Sequence, residues 1–265
     1  MAREVRFQFL RPSQVVAARE ECPLVFLPLG PLEWHGPHLP LGTDPLNAQE
    51  VSLRLAREVG GVVLPPLFLG TERERRPEML CSIGFAGDEY IVGMDFPGLP
   101  MRSLYCPEEV LAIVVRWWLE MLVSQGYRLV VLVNGHGADN QIETLQRLAT
   151  EFTNTHPARV LLLMPTPRTP GDYFNGSHAT RMETAVMQRL TESVALEELP
   201  DGPLHNTELA VVDELTFMGQ PTPDHTVRAE DDPRLATPEE GERRLRTIVS
   251  DLAEVLRAEL RAPGA

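Results

Sequence analysis

The sequence predicts an α/β fold, a three-layer α/β/α sandwich with a mostly parallel central sheet. Short apolar runs over residues 24–29 and 129–133 stop at glycine or polar residues and are typical of buried strands. Segments of helical periodicity follow both runs. Because alternating strands and helices favour parallel pairing with helices on both faces, this pattern indicates the sandwich. The 265 residues contain no Ser/Gly linker, so we expect a single domain over residues 1–265.

Each predicted element follows from its apolar period and from the residues that stop it. Apolar runs predict strands over residues 24–29, 62–67, 129–133 and 160–164. Apolar residues at helical spacing predict helices over residues 46–59, 107–125 and 141–152, and from residue 238 onward. Glycine and proline interrupt every period between residues 70 and 104, which predicts a long loop there.

The helix predicted over residues 107–125 has an unusual distribution of side chains. Between residues 110 and 123, apolar side chains cover nearly its whole circumference. A helix of this kind is buried on all sides. We therefore expect it to lie in the core or against another subunit.

The charge and the cysteine content limit the partners and the compartment. The formal net charge is −14 at pH 7, which argues against nucleic acid and anionic membranes, since both bind clustered Lys and Arg. The three cysteines, Cys22, Cys81 and Cys106, form no CxxC pair and suit reduced thiols. The sequence shows no signal-peptide pattern and no apolar segment of spanning length, so we expect a cytoplasmic protein.

Potential metal ligands follow two of the predicted strands. Glu33, His35 and Asp44 come after the first apolar run, and His136 follows the run over residues 129–133. In parallel sheets, ligands bind at the carboxyl ends of the strands, so these loops are expected to meet. Imidazole and carboxylate together suit zinc, manganese or iron(II). The pattern predicts a metal site, with a metallohydrolase as the first hypothesis.

Three separated segments also resemble the signature motifs of the creatininase (creatinine amidohydrolase) family. They read Glu-Trp-His-Gly-Pro-His-Leu-Pro at 33–40 with Asp44, Asn-Gly-His-Gly at 134–137, and Ser-His-Ala-Thr-Arg-Met-Glu-Thr at 177–184. Asp-Phe-Pro-Gly at 95–98 and Asp-Pro-Arg-Leu-Ala-Thr at 232–237 support the match. Because the motifs occur in the family's order, the resemblance extends from about residue 24 to the C-terminus.

The resemblance implies an α/β/α sandwich, assembled as a homohexamer, with two divalent metal ions per chain. By position, Glu33 and His136 would hold one ion and His35 the other. Asp44 would bridge the two ions, a role that suits a carboxylate because its two oxygens can each face a different cation.

The remaining candidate residues of the site lie in the third motif and in the loop after His136. Glu183 resembles the acidic residue that reaches the metal centre, and His178 the residue that aids proton transfer near the substrate. True creatininases read Asn-Gly-His-Tyr-Glu-Asn in the second motif, where the glutamate binds the second metal, whereas Gly-Ala-Asp-Asn follows His136 here. Either Glu183 or Asp139 is therefore expected to complete the second site, although Asp139 also suits the N-cap of the next helix.

The expected reaction is hydrolysis of a carbon–nitrogen bond other than a peptide bond in a small molecule, by metal-activated water. His178 would give the leaving nitrogen its proton, since imidazole titrates near neutrality. No tryptophan follows Trp118, and Tyr173 and Phe174 precede His178, which argues against creatinine itself as the substrate. Two alternatives stay open: trimming of a peptide end, and a catalytically silent binding or assembly protein of the same fold.

Overall fold

In the part of the chain that the structure describes, the central sheet has five strands, and the pairings between them are parallel. The computed structural model describes residues 3–73, 76–82, 84–89, 93, 95–166, 178–209 and 226–261. Within them the strands are β1 (Leu24–Gly30), β2 (Val62–Val63), β3 (Leu67–Phe68), β4 (Leu129–Asn134) and β5 (Arg159–Leu163). The order across the sheet is β2-β1-β4-β5, and β3 also pairs with β1.

Helices cover both faces of this sheet. In the described part of the chain they are α1 (Pro12–Glu21), α2 (Thr43–Val59), α3 (Pro77–Ser82), α4 (Glu108–Ser124), α5 (Asp139–Thr155), α6 (Arg181–Leu190) and α7 (Pro238–Arg261). Short 3-10 helices occupy Phe7–Phe9, Leu196–Glu198, Asn206–Leu209, Ala229–Asp231 and Pro233–Leu235. None of the described helices combines the length and apolar character needed to cross a membrane. The predicted α/β/α sandwich with its mostly parallel sheet is confirmed.

Successive residues of the central strands enter two separate cores. Leu24 and Phe26 of β1 pack in one core with apolar side chains of α2, α6 and α7. Val25 and Leu27 point to the opposite face, where α4 and α5 pack. Because both faces are covered, β1 and β4 are buried along their whole length. Their sequences are therefore continuous apolar runs rather than alternating ones.

The register of β1 and β4 brings the loops after them together. Leu29 of β1 is opposite Asn134 of β4, so the chain leaves both strands at the same edge of the sheet. The loop after β4 then passes close to the start of α2. A Cβ atom on Gly135 would lie 2.2 Å from the backbone oxygen of Asp44, so only glycine allows this approach. This contact places His136, the next residue, beside Asp44.

A shared carboxylate joins three helices on one face of the sheet. The two Nη atoms of Arg54 in α2 donate to Glu242 in α7 at 2.9 and 2.8 Å. Arg189 in α6 donates to the same carboxylate at 2.9 Å. The hydrogen bonds from Arg54 lower the pKa of Glu242 to about 2, so the carboxylate is ionised at neutral pH. Since α2 carries Asp44 and α6 carries Glu183, this contact fixes the elements that present both residues.

Three local features differ from the predictions. The strand predicted over residues 62–67 is divided into β2 and β3, because Pro65 and Pro66 lie between them and have no N–H to donate. The loop predicted over residues 70–104 contains the short helix α3. Helices α1 and α6 were not predicted, and α1 buries only Ala18 and so has no apolar stripe.

One face of α4 is exposed in the single chain, although its sequence predicts burial on all sides. The buried side chains are Leu111, Val115, Leu119 and Leu122. The opposite stripe is exposed, with Ile113 at 67% and Trp117 at 52%, and includes Val110 and Met121. Exposed apolar stripes of this kind mark interaction surfaces. We propose that another copy of the chain covers it, in a homo-oligomer that we expect to be a hexamer.

Substitution of Ile113 tests this assembly. Ile113→Glu places a charge on the stripe, so we expect light scattering to show dissociation into smaller species. Because Ile113 is exposed in the single chain, the circular dichroism spectrum should not change. Gln146→Glu is the control, since it adds the same charge at an exposed position on α5. A wild-type protein that is monomeric at micromolar concentration would rule out the proposed assembly.

Candidate metal centre

Glu33, Asp44 and His136 form a buried triad at the carboxyl edge of the sheet. His136 Nδ1 lies 3.0 Å from Glu33 Oε2 and 3.0 Å from Asp44 Oδ2. All three side chains are nearly inaccessible to solvent. One ligand atom from each residue lies within 4.8 Å of the others, a spacing that can hold a metal ion.

Asp44 also belongs to a second triad, with His35 and Glu183. His35 Nε2 lies 3.3 Å from Asp44 Oδ1 and 3.9 Å from Glu183 Oε2. These ligand atoms also lie within 4.8 Å of one another. The two oxygens of Asp44 thus face two different imidazoles, Oδ1 towards His35 and Oδ2 towards His136. A carboxylate in this position can contact two cations at once.

Backbone and amide contacts orient the two imidazoles. His35 Nδ1 lies 3.1 Å from the backbone oxygen of Glu33, a contact that places the proton on Nδ1 and leaves Nε2 for the cluster. The Asn134 side chain donates to the backbone oxygen of His136 at 2.7 Å and accepts from its N–H at 3.2 Å. Gln141 donates to Asn134 Oδ1 at 2.6 Å and so fixes that amide in turn.

Burial and neighbouring charges act in opposite directions on these groups. Burial lowers the pKa of His136, but Glu33 and Asp44 outweigh it and raise the pKa well above the usual imidazole value. Burial likewise lowers the pKa of His35, but Asp44 outweighs it and raises the value to about 10. Burial raises the pKa of Asp44, but the two imidazoles outweigh it and hold the value below its usual range. The carboxylates thus favour positive charge at this position, and the protonated imidazoles supply it.

The residues fit a pair of divalent metal ions. Among the described residues, Glu33 Oε2 and His35 Nε2 are buried without a hydrogen-bond partner. Buried polar atoms are normally paired, so such atoms indicate a missing partner. Glu33 Oε2 and His35 Nε2 belong to the two triads, where a cation would bind them. Imidazole and carboxylate donors together suit zinc, manganese or iron(II).

His178 lies beside the second triad. Its ring stacks on His35 with the centroids 4.3 Å apart, and its Nε2–H donates to the backbone oxygen of Trp34 at 2.9 Å. Burial and the charge of His35 lower the pKa of His178 to about 4, so the imidazole is neutral at neutral pH. This pKa is lower than the near-neutral value expected from the sequence. His178 has to receive a proton before it can donate one.

A strained turn presents Glu183 to the cluster. Ala179 has a φ of +56°, which is uncommon for a residue with a Cβ atom, and it is completely buried. Its N–H donates to Glu183 Oε2 at 2.6 Å, the oxygen that also faces His35. Burial raises the pKa of Glu183 to about 7. Glu183 can thus hold a proton near neutral pH or, when ionised, bind a metal.

Asp139 lies outside the cluster. Its side chain is 52% exposed and forms an ion pair with Arg73. It belongs to none of the groups of described residues with metal-ligand spacing. Helix α5 begins at Asp139 and its N-cap is Ala138, so the N-cap interpretation is also wrong. Of the two candidates for the last ligand, the structure brings only Glu183 to the second triad.

Two residues at the site were not predicted from the sequence. Glu72 is buried, and its Oε2 lies 3.5 Å from His136 Nε2. The Tyr105 hydroxyl donates to Glu33 Oε1 at 2.7 Å. Both residues come from the long segment between β3 and α4, where no motif distinguishes them from ordinary loop residues. The aromatic residues that the sequence analysis noted at positions 173 and 174 lie outside the described residues.

Fold and site together define an α/β/α protein with a candidate two-metal centre at the carboxyl edge of its sheet. The family model for creatininase (creatinine amidohydrolase) matches residues 9–256. The chain therefore belongs to the creatininase family.

Solved creatininases share this fold. A crystal structure of creatinine amidohydrolase matches with a TM-score of 0.70 at 23% identity, over 98% of this chain and 99% of that chain. A manganese creatininase and a zinc–zinc form of a creatininase mutant each match with a TM-score of 0.69 at 22% identity, over 98% of this chain and 100% of theirs. At these identities the likeness shows the fold alone.

Two proteins that are similar to this chain in sequence have names that describe different kinds of substrate. The mycofactocin precursor peptide peptidase of Mycolicibacterium smegmatis is 28% identical over 243 residues, which is 88% of this chain and 83% of that protein. The 3-dehydro-scyllo-inosose hydrolase of Thermotoga maritima is 24% identical over 135 residues, which is 51% of this chain and 37% of that protein. This chain thus matches little more than a third of that hydrolase's length. Family membership alone does not give the substrate.

Metal titration distinguishes Glu183 from Asp139 as the last ligand. Glu183→Gln keeps the size of the side chain but removes the ionisable oxygen next to His35, so we expect one of two bound metals to weaken by about tenfold or more. Asp139→Asn is the matched control and should bind both metals as the wild type does. If Asp139→Asn lost a metal and Glu183→Gln kept both, the last ligand position would belong to Asp139.

Proposed function

We propose that this chain is a metal-dependent amidohydrolase that uses two divalent metal ions to cleave a carbon–nitrogen bond of a small molecule. The bond is an amide, cyclic amide or formamide bond rather than an ordinary peptide bond. The observation that carries the proposal is the position of Asp44, whose two oxygens face His35 and His136 in two separate triads. Membership of the creatininase family supports the same class of reaction.

The ligand residues divide into two sets that share Asp44. We assign Glu33 and His136 to one cation, and His35 and Glu183 to the other. When bound, two such cations supply an acidified water and polarise the substrate carbonyl, and zinc, manganese and iron(II) suit these donors. The Tyr105 hydroxyl holds Glu33 in place through its other oxygen.

His178 is the proposed proton carrier. Because its Nε2–H donates to the Trp34 oxygen, the lone pair of the neutral imidazole is on Nδ1. Neutral His178 can accept the proton that the attacking water loses and pass it to the leaving nitrogen. An amine leaves with difficulty unless it is protonated, so a proton carrier here suits amide hydrolysis better than ester hydrolysis. Glu183, which also lies beside His35, can hold a proton near neutral pH.

A second candidate function is the trimming of a peptide end. The peptidase relative supports it, since the match covers most of both chains. Parallel assays with the zinc- and manganese-loaded protein separate the two candidates. Turnover of cyclic amides, formamides or ureas without turnover of short peptides supports the small-molecule amidohydrolase, and the opposite result supports the peptidase. Metal binding without any turnover would instead indicate a binding or assembly protein.

Substitution of Asp44 tests the shared ligand. Asp44→Ala should reduce the occupancy of both metals, whereas His35→Ala should mainly empty one, as measured by elemental analysis of purified protein. Asp44→Asn is an isosteric second variant in case the alanine variant does not fold. Full metal content in a folded Asp44 variant would remove the bridging assignment.

Substitution of His178 tests the proton carrier. His178→Ala should lower kcat by roughly a hundredfold or more, while the metal content stays unchanged. Amides with better leaving groups should lose less activity, because they need the proton less. An equal loss on good and poor leaving groups would mean that His178 positions the substrate instead.

A further inference from the structure

Glu72 is a buried carboxylate at the site for which the proposed reaction has no role. The residue is 6% exposed, and its Oε2 lies 3.5 Å from Nε2 of His136. The other ring nitrogen of His136, Nδ1, faces Glu33 and Asp44. The imidazole therefore separates Glu72 from the carboxylates of its triad.

An amide bridge joins the segment of Glu72 to the loop of His136. Gln141 is completely buried, and its Oε1 accepts the N–H of Thr71 at 2.7 Å. Its Nε2 donates to Asn134 Oδ1 at 2.6 Å, and Asn134 holds the backbone of His136. The same side chain thus holds Thr71, the residue before Glu72, and Asn134, two residues before His136. Because Gln141 holds both segments, the carboxylate of Glu72 lies next to the imidazole of His136.

Neighbouring atoms restrict the Glu72 side chain itself. Its Oε1 accepts the backbone N–H of Arg73 at 2.6 Å, which leaves Oε2 for the imidazole. A Cβ atom on Gly93 would lie 2.7 Å from Glu72 Cγ and 2.5 Å from the ring of Tyr105, so Gly93 packs tightly against both side chains. Glu72 therefore has little room to turn away from His136.

We propose that Glu72 is a positioning residue of the metal centre: it accepts the Nε2–H of His136 and leaves Nδ1 as the nitrogen that binds metal. The inference rests on the proposed function, since it concerns the metal that His136 would hold. A carboxylate that accepts the second N–H of a ligand imidazole fixes the ring and raises the basicity of the ligand nitrogen. At 3.5 Å the contact is longer than a normal hydrogen bond. Among the described residues Nε2 has no other hydrogen-bond partner, so the buried carboxylate of Glu72 is the neighbouring group that favours a proton there.

Direct metal binding by Glu72 is the competing role. The groups of described residues with metal-ligand spacing contain Glu33, Asp44 and His136 together but do not include Glu72. Its contact is with Nε2, whereas Nδ1 is the nitrogen that faces the two ligand carboxylates. The geometry therefore favours an indirect action, through the imidazole.

The test combines ¹⁵N NMR of histidine-labelled, zinc-loaded protein with measurement of zinc affinity. In the wild type, we expect the metal-bound nitrogen of His136 to be Nδ1 and the proton to be on Nε2, with the signal assigned by its loss in His136→Ala. Glu72→Gln keeps the size of the side chain but removes its charge. It should shift the Nε2–H resonance and weaken one of the two zinc ions by about tenfold or more. The other zinc ion should bind as in the wild type.

Asp139→Asn is the matched control, since it removes the same charge from the exposed partner of Arg73, the residue next to Glu72. It should change neither the His136 resonances nor the zinc affinities. Wild-type zinc bound through Nε2 of His136 would overturn the role of Glu72 even if Glu72→Gln failed to fold. A Glu72→Gln variant with wild-type resonances and affinities would also overturn it, and the two-metal hydrolase would stand. A wild type that binds no zinc, manganese or iron(II) would overturn both proposals.

Discussion

The contact of one buried carboxylate with two imidazoles is the constraint on which the site depends. Asp44 lies between His35 and His136, with one oxygen towards each. Burying these groups is tolerable only while their charges compensate one another, since removal of one partner from a buried pair costs about 3–5 kcal/mol. That is a large part of the roughly 5–15 kcal/mol by which a domain is stable. The charge balance of the cluster therefore contributes to folding as well as to chemistry.

The fold supplies this arrangement through features that lie outside the proposed ligands. The register of β1 and β4 sends two loops out at one edge, and the absence of a side chain on Gly135 lets one loop reach the start of α2. The carboxylate of Glu242 joins α2 and α6 through α7. Gln141 braces the same region from α5. Helices on both faces of the sheet thus keep the carboxylates of the cluster together, although their charges repel one another.

The sequence predicts the parts of this structure that produce periodic or recurrent signals. The apolar runs that became β1 and β4 are continuous because both faces are covered, and the ligand-type residues after them follow a general rule for parallel sheets. Glu72 gave no signal, because a single glutamate in a loop looks the same whether it is solvated or buried beside an imidazole. The exposed side of α4 was also unpredictable, since an apolar side chain does not show whether its own chain or another covers it. The division of the second strand had a local signal in Pro65 and Pro66, which the apolar run obscured.

The spacing of the ligands along the chain also determines when the site can exist. Its members extend from Glu33 in the first loop to Glu183 in α6, and they meet only through the sheet and three helices. Among the described residues, no short segment holds a complete triad, unlike the metal sites of small domains that fold around their ion. During synthesis, the centre is therefore incomplete until most of the sandwich has left the ribosome and packed. If the proposed site binds metal, binding follows folding, as an exchange of protons for cations between side chains that are already in place.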